Sequence, residues 1–460
     1  MPVFRHSVQL PHPVDTVFRW HGRPGAFQRL SPPWEDVEVL ESSGGLEEGS
    51  RVVLSMKQGP ARLRWEVEHV EYREGELFVD EQVKGPFRSW RHEHRFHAVD
   101  DTSSVLEDVV EWEAPMGGLG EAFGGAYIEK TLRRLFEFRG RRLREDLERA
   151  GQWGAEAAGG VRTVAITGSS GLIGTELRHF LTTLGHRVLR VTRDGRGDVR
   201  WDPAAGEIDS GALEGVDAVV HLAGEPIVGV RWTEAKKEAI LRSRREGTRT
   251  LATALARLER KPKVLVSGSA VGWYGSRGDE PLGEADSPGE GFLADVTREW
   301  EKATSPARAS GIRVVHLRTG IVLSPRGGVL GSVLLPFRLG VGGRLGSGKQ
   351  YMPWIDLDDE VGLILHALTR GDVRGAMNAT APNPLPNAAF TDVLGRVLGR
   401  PTLLPVPALA IRSLLGQMGE ELLLAGQRAL PRVATETGYS FLRPDLEDSL
   451  RFQLGRFEHT

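Results

Sequence analysis

The chain has 460 residues, 40% of them hydrophobic and 26% charged, and a formal net charge of −3. That length exceeds one ordinary core and calls for two or three domains. The near-neutral charge gives no general attraction to nucleic acid or to an anionic membrane surface. Cysteine is absent, which excludes disulfides, thiolate metal sites and cysteine nucleophiles. No run approaches the ~18 apolar residues of a membrane span, and the N-terminus shows no signal peptide, so a cytoplasmic protein is expected.

Strands dominate before residue 150. Val3 to Leu10 is the first, followed by helical character over Pro13 to Phe27. Val37 to Leu40, Arg51 to Met56, Leu63 to Tyr72, Leu77 to Val83, Ser89 to Ala98 and Ser104 to Glu113 read as six more. Several alternate apolar and polar residues, as half-buried antiparallel strands do. A long helix from about Ala126 to Arg149 closes the region, with Ile128, Leu132, Leu135, Phe136, Leu143 and Leu147 as its buried stripe. Its arginines are interleaved with Glu129, Glu137, Glu145, Asp146 and Glu148, which gives a salt-bridged solvated face and not a nucleic-acid helix. His92, His94 and His97 read as half-exposed strand histidines, with no carboxylate in obvious ligand geometry, so no metal is expected.

This order of elements over residues 1 to 150 resembles the START-like helix-grip fold of the polyketide cyclase and coenzyme Q-binding superfamily. The resemblance implies an α+β domain with a curved sheet wrapped around the last helix. It also implies an apolar cavity between them for an apolar or aromatic ligand. Trp34, Trp65, Trp90 and Trp112 either line that cavity or fill an ordinary core. A Gly/Ala-rich stretch follows, and residues 151 to 160 read as a linker.

The apolar run Val161 to Ile166 then reads as a buried strand, and Thr175 to Leu184 as a helix. Between them stands Thr167-Gly168-Ser169-Ser170-Gly171-Leu172-Ile173-Gly174. A strand, a glycine turn and a helix in that order make a dinucleotide site. Gly168 permits the tight turn, Gly171 lets a pyrophosphate approach the backbone, and Gly174 lets the helix pack on its strand. The helix N-terminus offers free N–H groups to the phosphates. Arg187 to Thr192, Ala218 to Leu222, Lys263 to Ser267 and Ile312 to Leu317 are further strands, separated by helices such as Thr233 to Leu258 and Leu293 to Ala309. That alternation calls for an α/β fold with a doubly wound parallel sheet of the Rossmann type. The expected domain covers residues 161 to 403, and a small helical C-terminal domain covers 404 to 460.

Residues 161 to 460 resemble the epimerase branch of the short-chain dehydrogenase superfamily, in an atypical subgroup that ends in a helical domain of unknown function. The resemblance rests on the glycine turn, on His221-Leu222-Ala223-Gly224, on Ser267-Gly268-Ser269-Ala270 with Tyr274-Gly275, on Arg318-Thr319-Gly320 and on Trp354 to Asp359. It implies cofactor contacts from Gly168, Ser169, Ser170, Gly171, Leu172, Ile173, Leu222, Ala223, Gly224 and Ser267, a small-molecule substrate, and Ser269 in the active-site serine position. Typical members add a Tyr-x-x-x-Lys pair, but here Phe292 to Arg298 holds neither tyrosine nor lysine. Tyr274, Arg244, Glu225 and Tyr351 are the other polar candidates. Arg193 after the second strand favours NADP over NAD, since an arginine there meets the 2′-phosphate. Two functions stay open: an oxidoreductase or epimerase, and a non-catalytic NADP(H)-dependent sensor. Gly343 to Lys349 imitates a phosphate loop, but Gln350 lacks the Mg²⁺-binding hydroxyl and no clear strand precedes it.

Overall fold

Seven strands pair antiparallel throughout in the order Val3–Leu10, Ser103–Glu113, Ser89–Asp100, Leu77–Lys84, Ala61–Arg73, Arg51–Gln58 and Val37–Ser43. The computed structural model describes residues 1–59, 61–115, 118–155, 157–229 and 231–457. Alternation makes the sheet two-faced. Trp90, His92, His94 and Phe96 are buried along one strand, opposite Trp112, Val110, Asp108 and Leu106 on the next. Two short helices, Val14–His21 and Ala26–Leu30, replace the expected single one, because Gly25 at φ 92° breaks the path between them. The closing helix runs Gly118–Trp153, three residues into the stretch read as a linker. It buries Leu132, Phe136, Leu143 and Leu147. Its outer face pairs Arg133 with Glu129 and Arg141 with Glu137 at i,i+4 spacing, the solvated arrangement that the charge pattern called for, but Asp146, expected on that face, is buried and ion-paired with the buried Arg29.

The structure bears on the two readings left open for the tryptophans and corrects the expectation for the histidines. Trp90 and Trp112 pack with Phe4, Val110, Leu132 and Phe136, and Trp65 and Phe87 lie against them. Trp65 meets Trp90 edge to face at 5.1 Å, and Trp34 meets Phe138 at 5.2 Å. These rings pack between aromatic neighbours, as in an ordinary core. A cavity of about 10 Å³ is found instead beside His6, His21, His94, Asp108 and Arg139, room for about one water. The correction concerns the histidines. His92 and His94 are buried, 4% and 8% exposed, and share the inner face with Asp80 and Asp108. Only His97 of the three is exposed. Alternation groups residues by face but does not say which face is covered.

Strand and helix alternate from Thr163 onward. The sheet order is Glu207–Ile208, Val199–Asp202, Arg187–Thr192, Thr163–Thr167, Ala218–His221, Val264–Ala270, Arg313–Thr319 and Gly375–Ala379. All neighbours are parallel except the edge pair Glu207–Ile208 and Val199–Asp202. The order of connection reverses between Thr163–Thr167 and Ala218–His221, the switch point where doubly wound folds bind ligands. Val164–Ile166, Ala218–Val220 and Val264–Val266 are all buried, as strands covered on both faces must be. Helix Leu357–Thr369 is buried on nearly every side, so it presents no amphipathic period and was not anticipated. Near the C-terminus, Leu446, Leu450 and Leu454 pack with Leu334, Phe337 and Leu394.

By internal contacts the chain forms two compact units. Met1–Ala157 groups with Thr182–Gly185 and Phe457, and Ala158–Leu181 groups with His186–Arg456. The C-terminal helices therefore fold with the parallel sheet. Among the described residues, no helix is long and apolar enough to cross a membrane.

Candidate functional site

The glycine turn lies at the switch point, and its three glycines have three different environments. Gly168 sits at φ +69°, and a Cβ there would stand 2.9 Å from the Ala223 nitrogen. This is where the ends of the two central strands meet. A Cβ on Gly174 would stand 2.2 Å from the Gly168 carbonyl oxygen, so close packing of helix Leu172–Thr183 demands glycine. Gly171 is exposed, and a Cβ there would meet only the Gly168 oxygen at 3.3 Å. Nothing else in the protein crowds that position. Ser170 is also exposed, Leu172 and Ile173 are half-buried, and Ser169 is buried. The first-turn N–H groups of a helix lack intrahelical partners, so they are available to an anion at this point.

Thr167 ties the two strand ends together. Its hydroxyl accepts from the Leu222 and Ala223 N–H groups, each at 3.2 Å, and bonds His221 Nδ1 at 2.7 Å. His221 Nε2 lies 2.9 Å from the Thr248 hydroxyl. Burial pushes His221 down to about 4, so it is a neutral scaffold residue that fixes the Leu222-Ala223-Gly224 segment. Arg244 closes this side. It is 7% exposed, donates to the Glu225 carbonyl at 2.9 Å, and lies over the Trp300 ring. Burial lowers it to about 10, still cationic at neutral pH. Glu225 accepts from Lys236 at 2.6 Å. Arg193 is exposed at the end of the second strand, and Asp194 beside it caps the Arg196 N–H at 3.0 Å.

The strand Val264–Ala270 delivers Ser267 and Ser269. Ser267 is fully buried and donates to the Gly268 carbonyl at 3.2 Å. Ser269 is 4% exposed and donates to Glu301 at 2.8 Å. Arg318 binds both oxygens of that carboxylate, at 2.8 and 3.1 Å. Tyr274 is fully buried, accepts from Arg318 at 3.1 Å and donates to Asn378 at 2.7 Å. Burial raises its hydroxyl above the usual tyrosine range. With both sides of the hydroxyl engaged, Tyr274 braces the site and is poorly placed to give a proton to a substrate. Tyr351 stands apart, paired in a short strand with Pro386.

Sequence reasoning missed Glu301, Glu284, Asn378 and Glu360. Glu301 comes from helix Phe292–Ala303, the element in which typical relatives place tyrosine and lysine. That helix begins on Glu421, whose carboxylate accepts from the Phe292 and Leu293 N–H groups at 3.1 and 2.9 Å, a cap that also complements the helix dipole. Glu284 accepts from the Asn378 N–H at 3.0 Å. Glu360 accepts from Thr319 at 2.8 Å, and burial pushes it up to about 8. An arginine at the end of a buried strand, Arg318, was the available signal, since a buried guanidinium needs a carboxylate. The loop that imitates a phosphate-binding loop is packed on its own chain: a Cβ on Gly343 would stand 1.7 Å from the Leu404 oxygen.

Comparison with known proteins accounts for most of the chain. Residues 164–379 match the NAD dependent epimerase/dehydratase family, residues 406–453 a domain of unknown function (DUF1731), and residues 1–148 the polyketide cyclase / dehydrase and lipid transport family. An epimerase family protein of Mycobacterium bovis is 43% identical over 296 residues, 64% of this chain and 98% of that relative. The crystal structure of a nucleoside-diphosphate sugar epimerase from Corynebacterium glutamicum is 33% identical, with a TM-score of 0.80 over 98% of this chain and 90% of that one. The human epimerase family protein SDR39U1, solved with NADPH, is 36% identical, with a TM-score of 0.59 over 64% of this chain and 99% of that one. With such identity spanning nearly the whole of these relatives, the chain belongs to the NAD(P)-dependent epimerase-like family, and a polyketide-cyclase-like unit precedes its Rossmann unit.

Proposed function

We propose that the second unit binds NADP(H) across Gly168–Gly174 and transfers hydride on a carbonyl or carbinol carbon of a small-molecule substrate. The observation that carries this reading is the position of Gly171. The protein itself demands glycine at 168 and 174, but at 171 it leaves open the space that a pyrophosphate takes in such turns. Bound nicotinamide would supply the redox chemistry. Arg193 is exposed and makes no hydrogen bond or ion pair among the described residues, whereas Asp194 is occupied as a cap. A free guanidinium beside an engaged carboxylate suits a 2′-phosphate and favours NADP over NAD. The NADPH-bound human relative supports the same choice.

On this reading Ser269 holds the substrate oxygen. Its proton is committed to Glu301, which leaves the serine oxygen as an acceptor, the polarity that suits an alcohol hydroxyl. Arg318 binds both oxygens of Glu301 and holds it in place. Isothermal titration should show NADPH binding more tightly than NADH, and a panel of carbonyl and sugar-nucleotide substrates should yield NADPH-dependent turnover. Equal affinity for the two cofactors would remove the NADP assignment. A second reading is favoured by one observation. Tyr274 is buried with both hydroxyl positions used, and helix Phe292–Ala303 has neither tyrosine nor lysine. NADP(H) binding without turnover on that panel would make the protein a cofactor-dependent sensor.

A further inference from the structure

The inner face of the antiparallel sheet holds a closed ring of side chains that the hydride-transfer reading does not use. Asp80 stands directly across from His92, and His94 directly across from Asp108. Each imidazole therefore has one carboxylate beside it and the other at the diagonal. Asp108 Oδ1 lies 3.1 Å from His92 Nε2 and 2.9 Å from His94 Nδ1. Asp80 Oδ1 lies 3.6 Å from His92 Nδ1 and 3.3 Å from His94 Nε2. One oxygen of each aspartate thus faces both rings, from opposite sides. His92, His94 and Asp108 are all more than nine-tenths buried.

This geometry sorts the nitrogens. Hydrogen-bond geometry is met between His92 Nε2 and Asp108 and between His94 Nε2 and Asp80, at 3.1 and 3.3 Å. If His94 instead turns its Nδ1–H to Asp108, 2.9 Å away, His92 Nδ1 and His94 Nε2 are lone pairs, and both face a carboxylate oxygen of Asp80. Three acceptor atoms then stand within 4.8 Å of one another, and a cation can lie between them. In a tetrahedron with bonds of about 2.0–2.1 Å, ligand atoms stand about 3.3 Å apart, close to the two separations from Asp80. Histidines that bind metals commonly give their other N–H to a carboxylate, which fixes tautomer and orientation. With His94 Nδ1–H turned to it, Asp108 would do this for both rings with a single oxygen.

We propose that Asp80, His92 and His94 bind one divalent cation of the zinc class, with Asp108 orienting both imidazoles and a water as fourth ligand. Two nitrogens and one carboxylate oxygen suit zinc and its neighbours, not calcium or magnesium, which prefer all-oxygen shells. Three protein ligands plus water is the open form of such a site. The proposal is independent of the cofactor reading, since its residues all lie in the antiparallel sheet. Protons are the competing occupant: protonated imidazoles would satisfy the same ring without metal.

The test uses the full chain. Protein expressed in zinc-supplemented medium and purified without chelator should carry one zinc per chain by elemental mass spectrometry. Because a buried site loads as the protein folds, metal-free chain should be refolded with Co²⁺. The product should show visible ligand-field absorption that saturates at one equivalent and a higher Tm than the metal-free form. His94→Ala and Asp80→Asn should lose the metal, and His97→Ala, exposed on the same strand, should keep it. Asp108→Asn should weaken affinity by roughly ten- to a hundredfold. If His94→Ala does not fold, the wild-type cobalt titration decides alone. Wild-type protein that stays metal-free and colourless after refolding with excess Zn²⁺ or Co²⁺ overturns the proposal and leaves the ring to protons. Full metal content in folded His94→Ala also overturns it.

Discussion

The two units bury polar groups in opposite places. In the parallel sheet most strand centres are apolar, His316 being an exception, and buried polar side chains gather at the C-terminal ends: Thr167, His221, Ser267, Ser269 and Arg318. In the antiparallel sheet the polar groups Asp80, His92, His94 and Asp108 lie within the strands, on one face. The difference follows from coverage. A parallel strand is packed on both faces, so chemistry is confined to its end. An antiparallel sheet that grips a helix has a whole inner face to furnish, and cross-strand register decides which side chains meet there. Even the acids behave differently. Burial raises Glu360 to about 8. Burial alone would also raise Asp108, yet hydrogen bonds from His92 and His94 hold it well below the usual carboxylate range.

The sharpest way to break this comparison is at the strand end itself. Gly171→Val should abolish measurable NADP(H) binding, because its methyl groups would occupy the space left for pyrophosphate. The first contact of a Cβ there is mild, so the unit should still fold. Calorimetry on a folded variant checks this, and undiminished affinity would show that the turn does not hold phosphate. Next in size is Ser269→Ala. It should lower kcat/KM by about ten- to a thousandfold with cofactor binding nearly unchanged. Tyr274→Phe should cost less activity, since its hydroxyl is engaged by Arg318 and Asn378. The reverse ranking would transfer the catalytic role to the tyrosine.

A third prediction concerns pH. The Glu360 carboxyl titrates near 8 when folded, against an ordinary value of 4.5. Between those values the folded protein keeps a proton that the unfolded chain has released. The stability that this group contributes is complete below about pH 4.5 and is lost as pH rises toward 8. The slope reaches at most about 1.4 kcal/mol per pH unit. Glu360→Gln should flatten the decline in Tm between pH 5 and pH 8. Asp356, raised to about 7 chiefly by burial, adds a decline of the same sign that the variant keeps. An unchanged slope in Glu360→Gln would mean that the carboxyl is ionised in the fold.

Much of this organisation was legible in the sequence. Arg187–Thr192 and Val3–Leu10 have the bounds their apolar patterns gave, and the glycine spacing marked the strand-to-helix turn that the sheet order places at the switch point. Interactions that join distant positions were not legible. Ser269 and Glu301 are 32 residues apart, and Asp80 meets His92 only through strand register. The His-x-His pattern placed two rings on one face, but not the two aspartates beside them. The tryptophans were ambiguous for a related reason: a large ring has the same sequence signature whether it lines a cavity or fills it.

The smallest expected effect tests the charge that distinguishes the two cofactor forms. Arg193→Ala should weaken NADPH several-fold to about tenfold, with each tenfold corresponding to ~1.4 kcal/mol, and leave NADH nearly unchanged. The effect is modest because Arg193 is exposed, where solvent and salt screen its attraction to phosphate. The same measurement at higher salt should narrow the gap between the two cofactors in the wild type and change little in the variant. Arg196 is close by and also exposed, at 88% of its side chain, so Arg196→Ala is the control. If Arg196→Ala loses NADPH preference and Arg193→Ala keeps it, the 2′-phosphate is met from the turn after the strand and not from the strand's end.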